Sequence, residues 1–208
     1  MPPRPIGKRT GVLILLAVTA VGASLLAPTV SRATVMTRVP LADLSREASA
    51  IVIGRVESNG VRLAIRGQGL EPQTVSGVRV SQWLHGDSVH GEPAATVSIR
   101  EIGGISDDVA MHIEGTPSYR PGEEVLVFLC HDAEHVNDYR TCGMAQGKFT
   151  IVRGLPGMPS VVWRDLSELG FAHWDETGMS VDETRPGAPV QLEAVLDVVR
   201  QAVAGASR

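Results

Sequence analysis

The residues best suited to chemistry stand together in the pentapeptide His131-Asp132-Ala133-Glu134-His135. It matches the pattern H-x-x-E-H, in which two histidines bind zinc and the glutamate acts as a base. That chemistry needs a helix, because histidines at i and i+4 must share one face. Here the pentapeptide lies in a polar stretch that we predict to be a hairpin loop, and no third ligand stands at a characteristic spacing. We therefore predict no metal site and no cofactor.

Two cysteines, Cys130 and Cys142, flank this loop. In an exported protein an even pair of cysteines more often forms a disulfide than supplies a reactive thiol. Two strands that fold back about Val136 would place the cysteines opposite each other, at a spacing that suits a disulfide. We therefore predict a Cys130–Cys142 bond, with two free buried cysteines as the alternative.

The other chemistry-bearing residues have no recognisable catalytic setting. No serine stands in a G-x-S-x-G pattern, and the glycines at 67, 69 and 77 have the wrong spacing for a phosphate cradle. We assign no catalytic and no cofactor-binding residue and predict that the protein is not an enzyme. We expect the isolated histidines to be solvated loop residues and the tryptophans to be core residues rather than the lining of a binding groove: His85, His90, His112, His173, Trp83, Trp163 and Trp174.

Residues 1–33 have the three zones of a cleavable signal peptide. A basic stretch precedes the uncharged apolar run 11–26, and Ser31-Arg32-Ala33 has small residues at the two positions that a signal peptidase reads. Cleavage after Ala33 predicts a secreted or periplasmic protein that begins at Thr34. The alternative is a retained anchor, but the apolar run is shorter than the roughly 20 residues that span a bilayer.

The charge balance excludes two classes of partner. Beyond residue 33 the chain carries 15 basic and 23 acidic residues, a net charge of −8. Nucleic acids and anionic membrane surfaces both require a basic face. We therefore predict neither as a partner and expect an extracellular or envelope protein instead; the sequence does not indicate an oligomeric state.

Periodicity and turn residues predict the elements of one mostly β domain. The segment 40–48 has the apolar spacing of a short helix. Asn59-Gly60 is a strong hairpin signal, and a two-residue turn there would pair Glu57 with Arg62 and Val56 with Leu63. We expect a loop at 67–72 and five strands after it, at 73–84, 96–102, 123–130, 139–153 and 161–165. The first of these strands should bend near Trp83, and the fourth should be broken at Gly143 and Gly147.

The C-terminal part of the chain returns to helical periodicity. After Leu169 the pattern becomes a polar connection, and the apolar stripe Leu192, Val195, Leu196, Val199 and Val203 then predicts an amphipathic helix packed on the strands. We divide the chain into a signal peptide, 1–33, a β domain, 34–168, and this connection with its helix, 169–208. Five or six short strands flanked by two helices suit a small closed barrel or a sandwich.

Four segments resemble a group of uncharacterised exported bacterial proteins: Ala50–Val56 (AIVIGRV), Val80–Gly86 (VSQWLHG), Tyr119–Leu129 (YRPGEEVLVFL) and Gly143–Phe149 (GMAQGKF). The architecture of that group is similar to the netrin-like and tissue-inhibitor-of-metalloproteinase domains. The resemblance, which covers residues 41–165, implies a mainly β fold with a small OB-like closed barrel of five or six strands.

Two departures limit what the resemblance implies about function. His85 stands where those domains have a lysine before glycine, and no cysteine stands near Thr34, where the inhibitors use one to bind the protease zinc. That inhibitory mechanism is therefore not expected. We predict a non-catalytic exported binding or accessory module. The alternatives are a metal-dependent hydrolase using His131, Glu134 and His135 and a structural envelope protein.

Overall fold

The structure, a computed structural model, describes residues 34–67, 69–86, 95–106, 109–132, 138–176, 178–182 and 187–206. The strands are β1 (Thr34–Thr37), β2 (Ala50–Arg66), β3 (Gly69–His85), β4 (Thr96–Ile102), β5 (Gly104–Ile105), β6 (Ala110–Met111), β7 (Glu124–His131), β8 (Asp138–Thr141), β9 (Lys148–Val152), β10 (Val161–Trp163), β11 (Leu169–Asp175), β12 (Gly178–Asp182) and β13 (Val190–Gln191). The helices are α1 (Leu41–Glu47) and α2 (Leu192–Ala206), with a 3₁₀ turn at Met144–Gly147. The prediction of a mainly β fold with two helices is confirmed.

Five strands pair in a ring. The antiparallel pairings run from β7 to β2, from β2 to β3 and from β3 to β4. β4 then pairs in parallel with β8, and β8 pairs antiparallel with β7, which completes the ring. The other end of β7 pairs with β9, from which β10 and β13 extend the sheet outward.

The alternation of side chains along the ring strands produces two hydrophobic cores. Along β2, Val52 and Val56 point to one face, where they pack with buried residues of β3, β4, β7 and β8. Ile51 and Ile53 point to the other face, where α1 and α2 cover them. The predicted apolar stripe of the C-terminal helix lies in this second core, so the packing expected for that helix is confirmed.

The hairpin predicted at Asn59-Gly60 is wrong. β2 continues through both residues, which pair with Ser76 and Val75 of β3, and the chain turns only after Arg66, at Gly67. Gly67 has φ 60°, the left-handed conformation that a tight turn requires. The residues expected to form a loop at 67–72 therefore belong to the end of a long hairpin. A turn at Asn59 would lose the cross-strand pairs that β2 and β3 make between Asn59 and the turn at Gly67.

The bend predicted near Trp83 is present as register shifts in the same hairpin. Val52 pairs with Trp83 and Ile51 pairs with His85, so Leu84 is an extra residue in β3. Such bulges increase the local twist of a strand. The strand predicted at 96–102 has the bounds of β4, and the break predicted between Gly143 and Gly147 separates β8 from β9.

The segment after Leu169 also differs from the prediction. In place of a wholly polar connection, β11 and β12 form an antiparallel hairpin, and β11 pairs in parallel with β1. Phe171 is buried in a small third cluster, with Leu169 and Leu166. The polar residues between these apolar positions hid the strand, since only one of its faces is covered.

The disulfide between Cys130 and Cys142 is present, with its Cα atoms 5.3 Å apart. The register that led to its prediction is wrong by two residues. Cys130 pairs with Arg140, and the backbone N–H of Cys142 donates to the carbonyl of Phe128. The cysteines are therefore diagonal neighbours, because Cys142 lies just beyond the end of β8, where the chain can turn toward its partner.

None of the helices in the described ranges is long and apolar enough to cross a membrane. The predicted signal peptide, residues 1–33, lies outside the described residues. So do Glu134 and His135 of the pentapeptide, and His90.

Candidate functional site

A polar layer closes one end of the ring. On β4 the inward positions Val97 and Ile99 are followed by Glu101, and on β8 the inward Tyr139 is followed by Thr141. The Oγ1 of Thr141 donates to Oε1 of Glu101 at 2.5 Å, and the backbone N–H of Thr141 donates to the same oxygen at 2.9 Å. Alternation thus puts a carboxylate at the mouth of an otherwise apolar interior.

Tyr119 extends this polar layer into a hydrogen-bonded chain. Its hydroxyl lies 2.6 Å from Oγ1 of Thr141, whose own proton goes to Glu101, so the tyrosine is the donor. Burial raises the pKa of the Glu101 carboxyl to about 7, although the bonds from Thr141 oppose the shift. Burial also raises the pKa of Tyr119 well above its usual value, and the Glu101 charge adds to this. Glu101 therefore titrates near neutral pH.

An ion pair fixes the segment that crosses this end of the ring. The Nζ of Lys148 lies 2.8 and 2.9 Å from the two carboxylate oxygens of Glu123 and donates to the carbonyl of Ser118 at 2.6 Å. Glu123 also accepts from the hydroxyl of Thr150 and from the backbone N–H of Arg120. The pair therefore joins β9 to the turn that precedes β7.

The two partners of this pair respond differently to their surroundings. Burial by itself would raise the pKa of Glu123, but hydrogen bonds from Lys148 and Thr150 outweigh it and lower that pKa. Burial dominates for the ammonium and lowers the pKa of Lys148, against the attraction of Glu123. Because the two groups bond directly to each other and also to Ser118 and Thr150, this is a structural ion pair.

A cleft of about 620 Å³ opens beside this layer. One wall is the crossing segment from Gly103 to Arg120, and the opposite side is formed by β9, β10 and the residues after them. The apolar and polar side chains that line it include Asn59, Glu101, Ile102, Ile105, Met111, Ile113, Tyr119, Glu123, Lys148, Trp163, Asp165 and Glu168. Its shape and mixed lining suit a ligand or a peptide segment.

The distal half of the β2–β3 hairpin, residues 58–77, borders the cleft; we call it the arm. One face of the arm carries Leu63, Ile65 and Leu70, and the side chains of Ile65 and Leu70 are 84% and 53% exposed. Because neighbouring residues alternate, Arg62 and Arg66 lie on the other face. Glu71, which pairs with Ala64 and lies 3.3 Å from Arg66, is on that face too. The arm is thus amphipathic, with one aliphatic face and one charged face.

The free edge of β2 adds to this surface. β7 pairs with β2 only as far as Arg55, and Asn59 then donates its side-chain amide to the carbonyl of Tyr119. Within the described ranges, no strand pairs with the edge of β2 from Val61 to Arg66. Unpaired backbone N–H and C=O groups on such an edge can bind another extended chain.

The pentapeptide that opened the sequence analysis is described only in part. The ring of His131 stacks on that of Tyr139, with centroids 5.2 Å apart, and pairs across the strands with it. His131 ends β7 and is not on a helix. No group of three or more potential metal ligands occurs among the described residues.

Comparison with known proteins assigns no family. No protein-family model matches the chain, and no curated protein sequence matches it. The functional argument therefore rests on the geometry of the chain itself.

A serine, a histidine and an aspartate that the sequence analysis did not combine meet on the β11–β12 hairpin. The Oγ of Ser180 lies 2.8 Å from Nε2 of His173, and Oδ2 of Asp182 lies 3.6 Å from Nδ1. The second distance exceeds that of a hydrogen bond, and both His173 and Asp182 are more than half exposed. Water competes with each contact, so the trio lacks the preorganisation that acyl transfer requires.

The isolated aromatic residues also differ from their predicted places. Trp163 is half-buried and lines the cleft, and Trp174 is 77% exposed, whereas Trp83 packs against the ring core as expected. His112 lies in the crossing segment, where its Nε2 is 3.2 Å from Glu168.

Glu101 could have been found from the alternation in Thr96–Ile102, since a charge at an inward position is rare.

Proposed function

We propose that this chain is a non-catalytic exported binding module on an OB-like barrel, and that its arm binds a partner protein. The five ring strands are adjacent in the order first, second, third, fifth and fourth, with a parallel contact between the third and fifth. This Greek-key order supports the barrel that the resemblance implies, and the loop between the first two strands of such barrels commonly binds ligands. The arm occupies that place.

The observation that carries this proposal is the exposed aliphatic face of the arm. Side chains such as Ile65 and Leu70 contribute little to stability when they stay in water, so a cluster of them marks an interaction surface. β5 lies against the same face, because Gly104 approaches the side chains of Val61 and Thr74. Ile105, also strongly exposed, continues the apolar surface toward the cleft.

The charges of the arm indicate the kind of partner. The arm contains Arg62, Arg66 and one acidic residue, Glu71, which pairs with Arg66, within a chain that is strongly acidic beyond residue 33. An extended segment with alternating apolar and acidic residues would complement both faces while pairing with the free edge of β2.

The disulfide supports the exported location. Disulfides persist in oxidising compartments and are rare in the cytosol. The bond between Cys130 and Cys142 joins β7 to the residue that directly follows β8. A secreted or periplasmic location is consistent with both the disulfide and the predicted signal peptide.

The test is a selection of peptides from a random library displayed on phage, with the full protein as bait. We expect enrichment of sequences that alternate apolar and acidic residues, and at least tenfold weaker binding to the double variant Ile65→Asp, Leu70→Asp. The matched control is Leu155→Asp, which changes an equally exposed aliphatic residue outside the arm. Enriched peptides that bind the double variant and the wild type equally would contradict the proposal.

Two further measurements separate the alternatives. Hydrolysis of ester or peptide substrates by the pure protein, lost in Ser180→Ala, would contradict the non-catalytic assignment, and so would stoichiometric zinc lost in His135→Ala. Concentration-dependent self-association in sedimentation, unaffected by the arm variants, would indicate a structural envelope protein instead.

A further inference from the structure

A second cleft, of about 480 Å³, lies on another part of the chain and contains two arginines. Arg38 follows β1, and Arg164 follows β10. The remaining lining is mainly apolar: Phe149, Val162, Trp163, Leu166, Ala188 and Val190, with Asp182 at one side.

Aromatic rings hold both guanidinium groups in place. The Cζ of Arg38 lies 4.2 Å from the centroid of the Phe171 ring, and that of Arg164 lies 4.7 Å from the centroid of Phe149. A guanidinium stacked on a ring keeps its edge donors free for other partners. The two arginines are therefore positioned before any ligand arrives.

No residue that the structure describes neutralises either arginine. The structure gives no ion pair for Arg38 or Arg164 with any residue that it describes. Among the described residues, Arg164 donates one hydrogen bond, from Nη1 to the carbonyl of Gln146 at 3.3 Å. A guanidinium has five N–H donors, so most of them remain available at the cleft.

The two charges also act on each other. Burial lowers the pKa of the Arg164 guanidinium, and the nearby charge of Arg38 lowers it further. Arg38 is exposed and Arg164 is half-buried, so water screens this repulsion only in part, and an anion bound between the two charges would relieve it. Asp182 does not serve in this way, because its carboxylate lies beyond ion-pair distance of both arginines and 3.6 Å from His173 instead.

We propose that this cleft binds the oxyanion of a small ligand, a carboxylate or a phosphate attached to an apolar group, between the guanidinium groups of Arg38 and Arg164. Both oxyanions match the paired donors of a guanidinium. The apolar part of the ligand contacts Trp163, Phe149 and Val190. This site is separate from the arm and goes beyond the proposed protein-binding function.

The test titrates the purified full chain with benzoate, phenyl phosphate and neutral benzamide, using calorimetry and the Trp163 indole resonance. We expect at least one of the two anions to bind at least tenfold more tightly than benzamide, and the tighter of the two identifies the natural oxyanion. Arg164→Gln and Arg38→Gln each lower that affinity by at least tenfold. The matched control, Arg200→Gln, removes an exposed arginine that already pairs with Asp197 and leaves affinity unchanged.

A measurement on the wild type keeps the test independent of variant folding. Phenylglyoxal modifies accessible arginines, and the sites are read by mass spectrometry. The bound anion is expected to protect Arg38 and Arg164 at least fivefold and to leave Arg200 unprotected. Equal binding of benzamide, no binding of either anion, full affinity in Arg164→Gln, or equal modification with and without the anion would each overturn the proposal.

Discussion

The two halves of the β2–β3 hairpin have the same backbone pairing but opposite surroundings. In the ring half, Ala50–Val56 pairs with Val78–His85, and the side chains of β2 are buried on both faces apart from Arg55. In the arm the pairing continues from Ser58 to Arg66, but the aliphatic side chains there are largely exposed. Hydrogen bonds thus continue to the tip of the arm, whereas burial in the arm is confined to residues of β3 such as Gln73 and Ser76.

The difference separates what stabilises the fold from what is available for binding. The ring half gains free energy from apolar burial on two faces, whereas the arm gains little beyond its cross-strand pairs. Changes in the ring should therefore alter stability, and changes in the arm should alter binding.

The largest effect is expected where the ring closes. Among the described residues β4 and β8 share two residue pairs, and Arg100 supports them by donating to Asp138 and, at 2.8 Å, to Gln73. The side chains of Arg100 and Asp138 are only 13% and 15% exposed. Arg100→Met should lower the free energy of unfolding by about 3 kcal/mol, because it leaves a nearly buried carboxylate without this partner. Urea denaturation measures this loss.

The control for this prediction is Arg79→Met. Arg79 pairs with Glu57 at 2.5 Å, but it is 69% exposed and lies near the start of the arm. An exposed pair of this kind contributes at most about 1 kcal/mol. An equal loss in the two variants would mean that the ring does not depend on its closing pair.

A smaller effect is expected at the polar layer, and it depends on pH. The pKa of Glu101 is about 7 in the fold against 4.5 for the ordinary group. Because the folded chain holds this proton more tightly, the stability that Glu101 contributes is fully present below pH 4.5 and is lost as the pH rises from 4.5 to 7. Glu101→Gln keeps an oxygen that accepts from Thr141. It should raise the free energy of unfolding by about 2 kcal/mol at pH 8, after allowance for partial exposure.

The same variant should match the wild type to within about 0.5 kcal/mol at pH 4.5, where Glu101 is protonated in the folded state and half protonated in the unfolded state. Urea denaturation at the two pH values measures the difference. A gain of equal size at both would show that the effect comes from shape rather than from charge.

Two glycines locate the turn of the arm. Gly67 has a left-handed backbone, so Gly67→Val should cost about 1.5 kcal/mol. Gly60 has no such conformation, no atom lies within 4 Å of a Cβ built on it, and it pairs with Val75. Gly60→Val should therefore be neutral or slightly stabilising. Thermal unfolding of the two variants distinguishes this register from a turn at Asn59-Gly60, for which the order would reverse.

The smallest effect on stability is expected at the tip of the arm. Ile65→Asp changes a strongly exposed side chain and should alter the free energy of unfolding by less than about 0.5 kcal/mol. Urea denaturation of this variant, carried out beside the peptide-binding assay, measures the change in the free energy of unfolding. A loss above 2 kcal/mol would show that the aliphatic face is covered within the fold.

Much of the ring could be predicted because its patterns are local. Alternation gives the bounds of β4, continuous apolar residues give β7, and the stripe from Leu192 to Val203 gives α2. The disulfide followed from two cysteines at the ends of one hairpin. In each case the residues that carry the signal also make the contact.

The register of the arm and the hydrogen-bonded contacts of the polar layer could not be predicted, for a different reason. The turn signal at Asn59-Gly60 is local, whereas the register that overrides it depends on pairing across the whole hairpin. Glu101 and Tyr119 are 18 residues apart, and only the ring brings them to the same threonine. Arg38 and Arg164 meet through an equally long-range arrangement of β1 and β10.

The ion pair of Lys148 has a practical consequence for handling the protein. Beyond residue 33 the chain has no other lysine, and this ammonium is only 12% exposed and held by Glu123. In a chain cleaved after Ala33, as the sequence predicts, reagents that acylate amines should therefore react mainly at Thr34. Thr34 bonds to the carbonyls of Glu114 and Glu168 and lies four residues before Arg38, so a label attached through this amine would report on a point close to both clefts.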